Sequence, residues 1–201
     1  MTFTNAINLF HSLIRPIALY CCEIWSHLTH SQMNSLENNK VELYDIMTSS
    51  DVGIIQQKYL KYVLGVKLNC SNTATLGEAG EYPLLLYGFV SLLKYWHRTA
   101  NLPNNVLAKQ ALVIHNMDIA QSEWLSTVKF LLSCIYMNDH FNNPKLVSTE
   151  IFSKLCLKRL KEIIVKQWKL KLANSDKLRF YNYLRLKWGV NPTLTWFAIF
   201  K

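Results

Sequence analysis

Residues Gln57 to Arg98, QKYLKYVLGVKLNCSNTATLGEAGEYPLLLYGFVSLLKYWHR, decide how the whole chain is read. Leading into this stretch, Val52, Ile55, Tyr59, Leu60, Val63 and Leu64 recur at helical spacing, and Gly65 is placed to stop the helix. A polar turn, Asn69 to Asn72, follows. The small-residue run Thr73 to Gly80 comes next, with glycines that allow close backbone approach or a positive φ. Pro83 then opens a second long helix, at a position where a missing N–H costs nothing. The pattern is helix, turn, helix, without the period-two alternation of strands.

The same pattern extends in both directions. Helical spacing predicts helices over 3–28, 52–64, 84–101, 104–116, 122–137, 149–173 and 176–188. Pro16 is expected to kink the first, and Ser148 or Thr149 to cap the long one. The polar run Ser31 to Ser50 reads as a loop or a weak helix. With only six Gly and five Pro among 201 residues, the expected fold is all-α, an irregular bundle of about six to seven helices. Three regions are distinguished: 1–50, 51–145 and a basic 146–201.

Half of the residues are hydrophobic, enough to fill a core, and 17% are charged. Ten Tyr, nine Phe and six Trp imply either an aromatic core or a surface that packs on another body. The most apolar stretch, Ile7 to Trp25, is interrupted by His11, Arg15 and Glu23. It reads neither as a membrane span nor as a signal peptide, so an intracellular chain without a membrane partner is expected.

The formal charge of +9 is concentrated. Between Lys154 and Lys187 stand eleven basic residues, opposed only by Glu162 and Asp176, and the rest of the chain is neutral. Ile151, Leu155, Leu160, Ile163, Ile164 and Trp168 form an apolar stripe with roughly helical spacing. Lys154, Lys158, Lys161 and Lys169 fall off it. A helix with one cationic face can lie along a phosphate backbone and release counterions. Trp168, Phe180 and Tyr181 interleave with the cations, and exposed aromatic rings can stack on bases. The candidate nucleic-acid-binding residues are therefore Lys158, Arg159, Lys161, Lys166, Lys169, Lys177, Arg179 and Arg185. The competing reading is a solvated basic face with its aromatics in the core.

Other constellations carry less. The five cysteines, Cys21, Cys22, Cys70, Cys134 and Cys156, read as small buried apolar residues, with Cys21 and Cys22 reduced and buried. Cys22 with His27 and His30 is the only zinc-like spacing, and it is weak. No metal or cofactor is expected. Gly77 and Gly80 are too close for a phosphate loop and lack the Lys-Ser or Lys-Thr that follows one. His97 and Arg98 are expected to meet the last carbonyls of their helix. Asp139 and His140 are expected in a solvated polar loop.

The wording of the chain adds what its spacing does not show. Leu60-Lys61-Tyr62-Val63-Leu64-Gly65-Val66, Gly77-Glu78-Ala79-Gly80-Glu81-Tyr82-Pro83-Leu84 and Lys94-Tyr95-Trp96-His97 resemble the region downstream of the polymerase core in non-LTR (LINE- or jockey-type) retrotransposon reverse transcriptases. Leu9-Phe10-His11-Ser12-Leu13-Ile14-Arg15-Pro16 and Leu19-Tyr20-Cys21-Cys22-Glu23-Ile24-Trp25 resemble the stretch that follows the palm, with Cys21 where that family usually has Gly. Trp124 with Val128-Lys129 is similar to a later helix. Gln167-Trp168, Asn174-Ser175, Lys177-Leu178-Arg179-Phe180-Tyr181 and Lys187 are similar to the family's ending. The order is also the family's, and the resemblance covers nearly all of the chain.

The resemblance implies a fragment. Reverse transcriptases hold two metal ions on paired aspartates, which the family writes as aromatic-Ala-Asp-Asp. Here Asp45, Asp51, Asp118, Asp139 and Asp176 stand apart. The chain is thus expected to be a C-terminal piece without catalytic residues. Its partners would be RNA or DNA and the remainder of the polypeptide, and its N-terminal helix and loop would depend on the absent core for packing. The alternative is a structural module that packs on that core and binds no nucleic acid of its own.

Overall fold

The computed structural model describes residues 2–178, with only the backbone described at Ala120 and Lys177. Every regular element among them is helical, and no strand occurs there. The helices are more numerous than the six to seven expected, and several are short. The described residues fall into two compact units, one of 2–18, 42–85 and 161–178, the other of Leu19–Val41 and Leu86–Leu160.

The first unit begins with Phe3–Leu9, a π-helical turn at Phe10–Ile14 and a short helix Arg15–Ala18. Pro16 explains the interruption. It has no N–H to give the Ser12 carbonyl, and its ring would strike that carbonyl in a regular helix. The chain widens instead, and the Arg15 N–H bonds the Phe10 carbonyl. The single helix expected over 3–28 is therefore broken, and it resumes only at Cys22–Trp25.

The run Ser31 to Ser50, expected as a loop or weak helix, is largely helical. Thr29 and Gln32 cap each other reciprocally and start the helix His30–Glu37. Leu43–Ser49 then buries Leu43, Tyr44, Ile46 and Met47 in the first unit. Those four side chains give a core-facing surface that its polar composition concealed.

Asp51–Leu64 lies close to the predicted 52–64, capped by Ser50 and stopped by Gly65 at φ +66°. Gly53 is required for another reason: a Cβ there would sit 2.3 Å from the Met47 carbonyl oxygen. The small-residue run is itself a helix, Asn72–Ala79, ended by Gly80 at φ +69°. Pro83 does not open the next helix, which starts at Leu85. Pro83 is held just before it by Gln56, whose amide donates to the Tyr82 carbonyl at 2.8 Å and accepts the Leu84 N–H at 2.7 Å.

In the second unit, Leu85–Ala100 buries Leu86, Phe89, Leu92, Leu93 and Trp96 at three- and four-residue steps. Each such side chain is worth ~1.5–3 kcal/mol when fully removed from water. Glu123–Cys134 falls inside its predicted span, and Leu107–Met117 starts three residues later and ends one residue later than predicted. The long helix Thr149–Ala173 has the predicted bounds, and its first half, to Leu160, belongs to this unit. Of the helix expected over 176–188, only Asp176–Leu178 is described, as a 3-10 turn; the rest lies outside the described residues.

Candidate nucleic-acid interface

The long helix starts where Ser148 Oγ accepts the Ile151 N–H, at 3.4 Å. Its buried positions are Phe152, Cys156, Leu160, Ile164, Trp168 and Leu172, one every fourth residue. At 3.6 residues per turn such a line drifts by about 40° per step, so it winds around the helix. The solvent side winds with it through Lys154, Lys158, Glu162, Lys166 and Leu170, all exposed. This differs from the stripe expected from spacing: Ile151 is 53% exposed, and Leu155 and Ile163 are half-buried.

The candidate cations separate accordingly. Lys158, Lys166 and Lys169 are exposed, and no described carboxylate lies within ion-pair distance of them. Lys154, not among the candidates, shares these properties; counting alone does not distinguish it from its neighbours. Arg159 is half-buried and donates from Nη1 to the carbonyls of Ile135 and Tyr136 at 2.7 and 2.9 Å. It closes the C-terminal end of Glu123–Cys134 and is committed to the fold. Lys161 is half-buried, with Nζ 4.6 Å from the centroid of the Tyr82 ring. The side chain of Lys177, and Arg179 and Arg185 entirely, lie outside the described residues. So do Phe180 and Tyr181.

Trp168, the one interleaved aromatic that is described, is buried and donates its indole N–H to the Thr73 carbonyl at 2.8 Å. It is a core residue and offers no stacking face. Lys171 is taken up by Asp45 at 2.8 Å and Glu42 at 3.6 Å. Those acids stand more than a hundred residues away in sequence, so their presence beside the helix was invisible there.

In the first unit, a cleft of ≈ 340 Å³, open solvent included, is lined by Tyr44, Gly77, Glu81, Tyr82 and Trp168, among others. Burial pushes the Tyr44 phenol up to about 12 despite Thr73 beside it, so it stays neutral. Burial also raises the Glu81 carboxyl, against the pull of His11 at 3.1 Å and of Arg15 and Lys161.

The cysteines, all expected to be buried, differ: Cys22 and Cys156 are buried, Cys134 is half-buried and Cys70 is exposed. Burial holds the thiols of Cys22, Cys134 and Cys156 up, the last two to about 11 and about 12. Cys21, expected to be buried, is only half-buried, and its φ is +52°. His27 faces Glu123 at 3.7 Å, and no cluster of three or more His, Cys, Asp or Glu that could hold a metal occurs among the described residues.

His97 does not serve the end of its helix. It is fully buried, beside Thr149 and Phe152. His140 is half-buried against Phe152 within the short helix Asn138–Asn142, rather than solvated in a loop. Among the described residues no helix is long and apolar enough to cross a membrane. No family model, curated protein or solved structure matches the chain.

Proposed function

We propose that this chain is a non-catalytic C-terminal portion of a non-LTR retrotransposon reverse transcriptase, and that it grips nucleic-acid phosphates along its long helix. One observation carries the binding reading: Lys154, Lys158, Lys166 and Lys169 are exposed on one helix, with Glu162 the one acid on the same solvent side, and none of them forms an ion pair with a described carboxylate.

The family reading is supported by Cys21. It occupies the left-handed region in which an L side chain costs roughly 1–2 kcal/mol, and the resembled stretch usually has glycine there. Several other residues of the resemblance make long-range structural bonds. The Trp124 indole donates to the Glu23 carbonyl at 2.7 Å, and Gln167 accepts the Tyr44 N–H at 3.0 Å.

The test is a triple variant, Lys158→Glu, Lys166→Glu and Lys169→Glu, assayed against unrelated RNA and DNA sequences. Affinity should fall about equally for all of them, because phosphate contacts carry no sequence information. The salt slope should drop by roughly one unit for each phosphate that is no longer neutralised. Circular dichroism checks that the helices persist.

Unchanged affinity in a folded variant sinks this reading and favours the second one, a module that packs on another part of the polypeptide. That alternative has its own observation. On the N-terminal segment, Leu9, Leu13 and Ile17 follow each other at four-residue steps and are 40%, 56% and 78% exposed. Such an apolar line is what a covered helix presents.

A further inference from the structure

We propose that His97 and His140 form an acid-sensitive clasp in the second unit: neutral, they hold the first turns of the long helix through Thr149 and Phe152, and protonated, they release them. The proposal is independent of nucleic-acid binding.

The geometry starts at His97, which is fully buried. Its Nδ1 lies 3.1 Å from the Thr149 hydroxyl and 3.3 Å from the Asn101 amide nitrogen. Its ring stacks on Phe152, with centroids 4.2 Å apart and planes 18° apart. Nε2 is buried and makes no hydrogen bond. The nearby Pro144 carbonyl is already bonded to the Asn101 amide at 3.2 Å. The Thr149 hydroxyl can serve either tautomer, donating to Nδ1 or accepting from it. The imidazolium is different: both nitrogens carry protons, and the one on Nε2 has no acceptor. A buried donor without a partner, on a charged ring, opposes protonation.

His140 repeats the problem on the same phenyl ring. Its ring meets Phe152 edge-on at 5.6 Å, and its Nδ1 is also buried without a partner. The neighbours do not cancel this. The Pro144 carbonyl and Glu150 favour His97 as a cation, while His140 opposes it. Asp139 favours His140 as a cation, while Arg159 opposes it. For both rings desolvation is the largest influence, and both hold their protons less well than an ordinary histidine near 6.5.

The sign follows from linkage. The unfolded chain takes up these protons first as pH falls. The stability these neutral rings contribute is therefore fully present above about 6.5 and is lost below it, levelling off once the folded rings also titrate. Each histidine changes the opening equilibrium by up to about tenfold per pH unit within that window.

The experiment is amide hydrogen exchange on the full chain, read as protection factors at Phe152 to Cys156 between pH 7.5 and pH 5. Protection should fall with pH below 6.5, up to about hundredfold per unit when both rings titrate. In His97→Gln, which cannot be protonated, the fall should be no steeper than about tenfold per unit. Should that variant fail to fold, the Cε1–H resonances of the unaltered protein serve instead, and both should titrate below 6.5. Protection that does not change on acidification overturns the proposal, as do titrations of both rings at or above 6.5.

Discussion

Around Glu81 in one unit and around Phe152 in the other, ionisable side chains are buried by opposite means. In the first, three charged side chains are matched, although the Tyr44 hydroxyl and the Gln57 amide of the same unit are buried without a partner. Glu81 faces His11 at 3.1 Å, Lys171 faces Asp45 at 2.8 Å, and the buried Lys61 donates to the Leu68 carbonyl at 2.7 Å. Gln56 adds a neutral version, answering one donor and one acceptor on either side of Pro83. In the second, His97 and His140 lie against a phenyl ring, and each has one nitrogen without a partner. Matched groups tolerate a change of pH in proportion to how well the partner compensates. Unmatched imidazoles tolerate burial only while neutral.

This contrast can be broken in order of effect. Phe152→Ala should cost the most, ~3–5 kcal/mol, because it empties a fully buried site and removes the ring on which both imidazoles pack. Urea midpoints measure it, and a cost below about 1 kcal/mol would mean that the phenyl ring is not the centre of that unit. Gln56→Leu should cost roughly 1–3 kcal/mol, chiefly through the buried Leu84 N–H left without its acceptor. Gln56→Glu, which keeps that acceptor and loses the donor to Tyr82, should separate the two bonds. Lys171→Met should cost the least, about 0.2–1 kcal/mol, since the pair is partly exposed and screened. That cost should shrink in high salt, whereas the Gln56→Leu cost should not.

The sequence alone determined the helical class. Periodic apolar residues, Gly65 as a stop and scarce glycine and proline are local signals, and local signals decide helix against strand. The bounds of Thr149–Ala173 and nearly those of Asp51–Leu64 were legible for the same reason. Where the charge lies along the chain was legible too, because counting needs no geometry.

Which cations are free was not. Arg159 bonds carbonyls 23 and 24 residues away, and Lys171 meets Glu42 and Asp45 across most of the chain. Such partners are brought together only by packing. Packing likewise buried Trp168, made helices of Leu43–Ser49 and Asn72–Ala79, and moved His97 from an expected helix end into the core. The physical reason is the range of the forces involved. Backbone hydrogen bonding and side-chain periodicity act within a few residues. Desolvation and charge pairing depend on neighbours that are distant along the chain, so only the tertiary structure decided which side chains the solvent can reach.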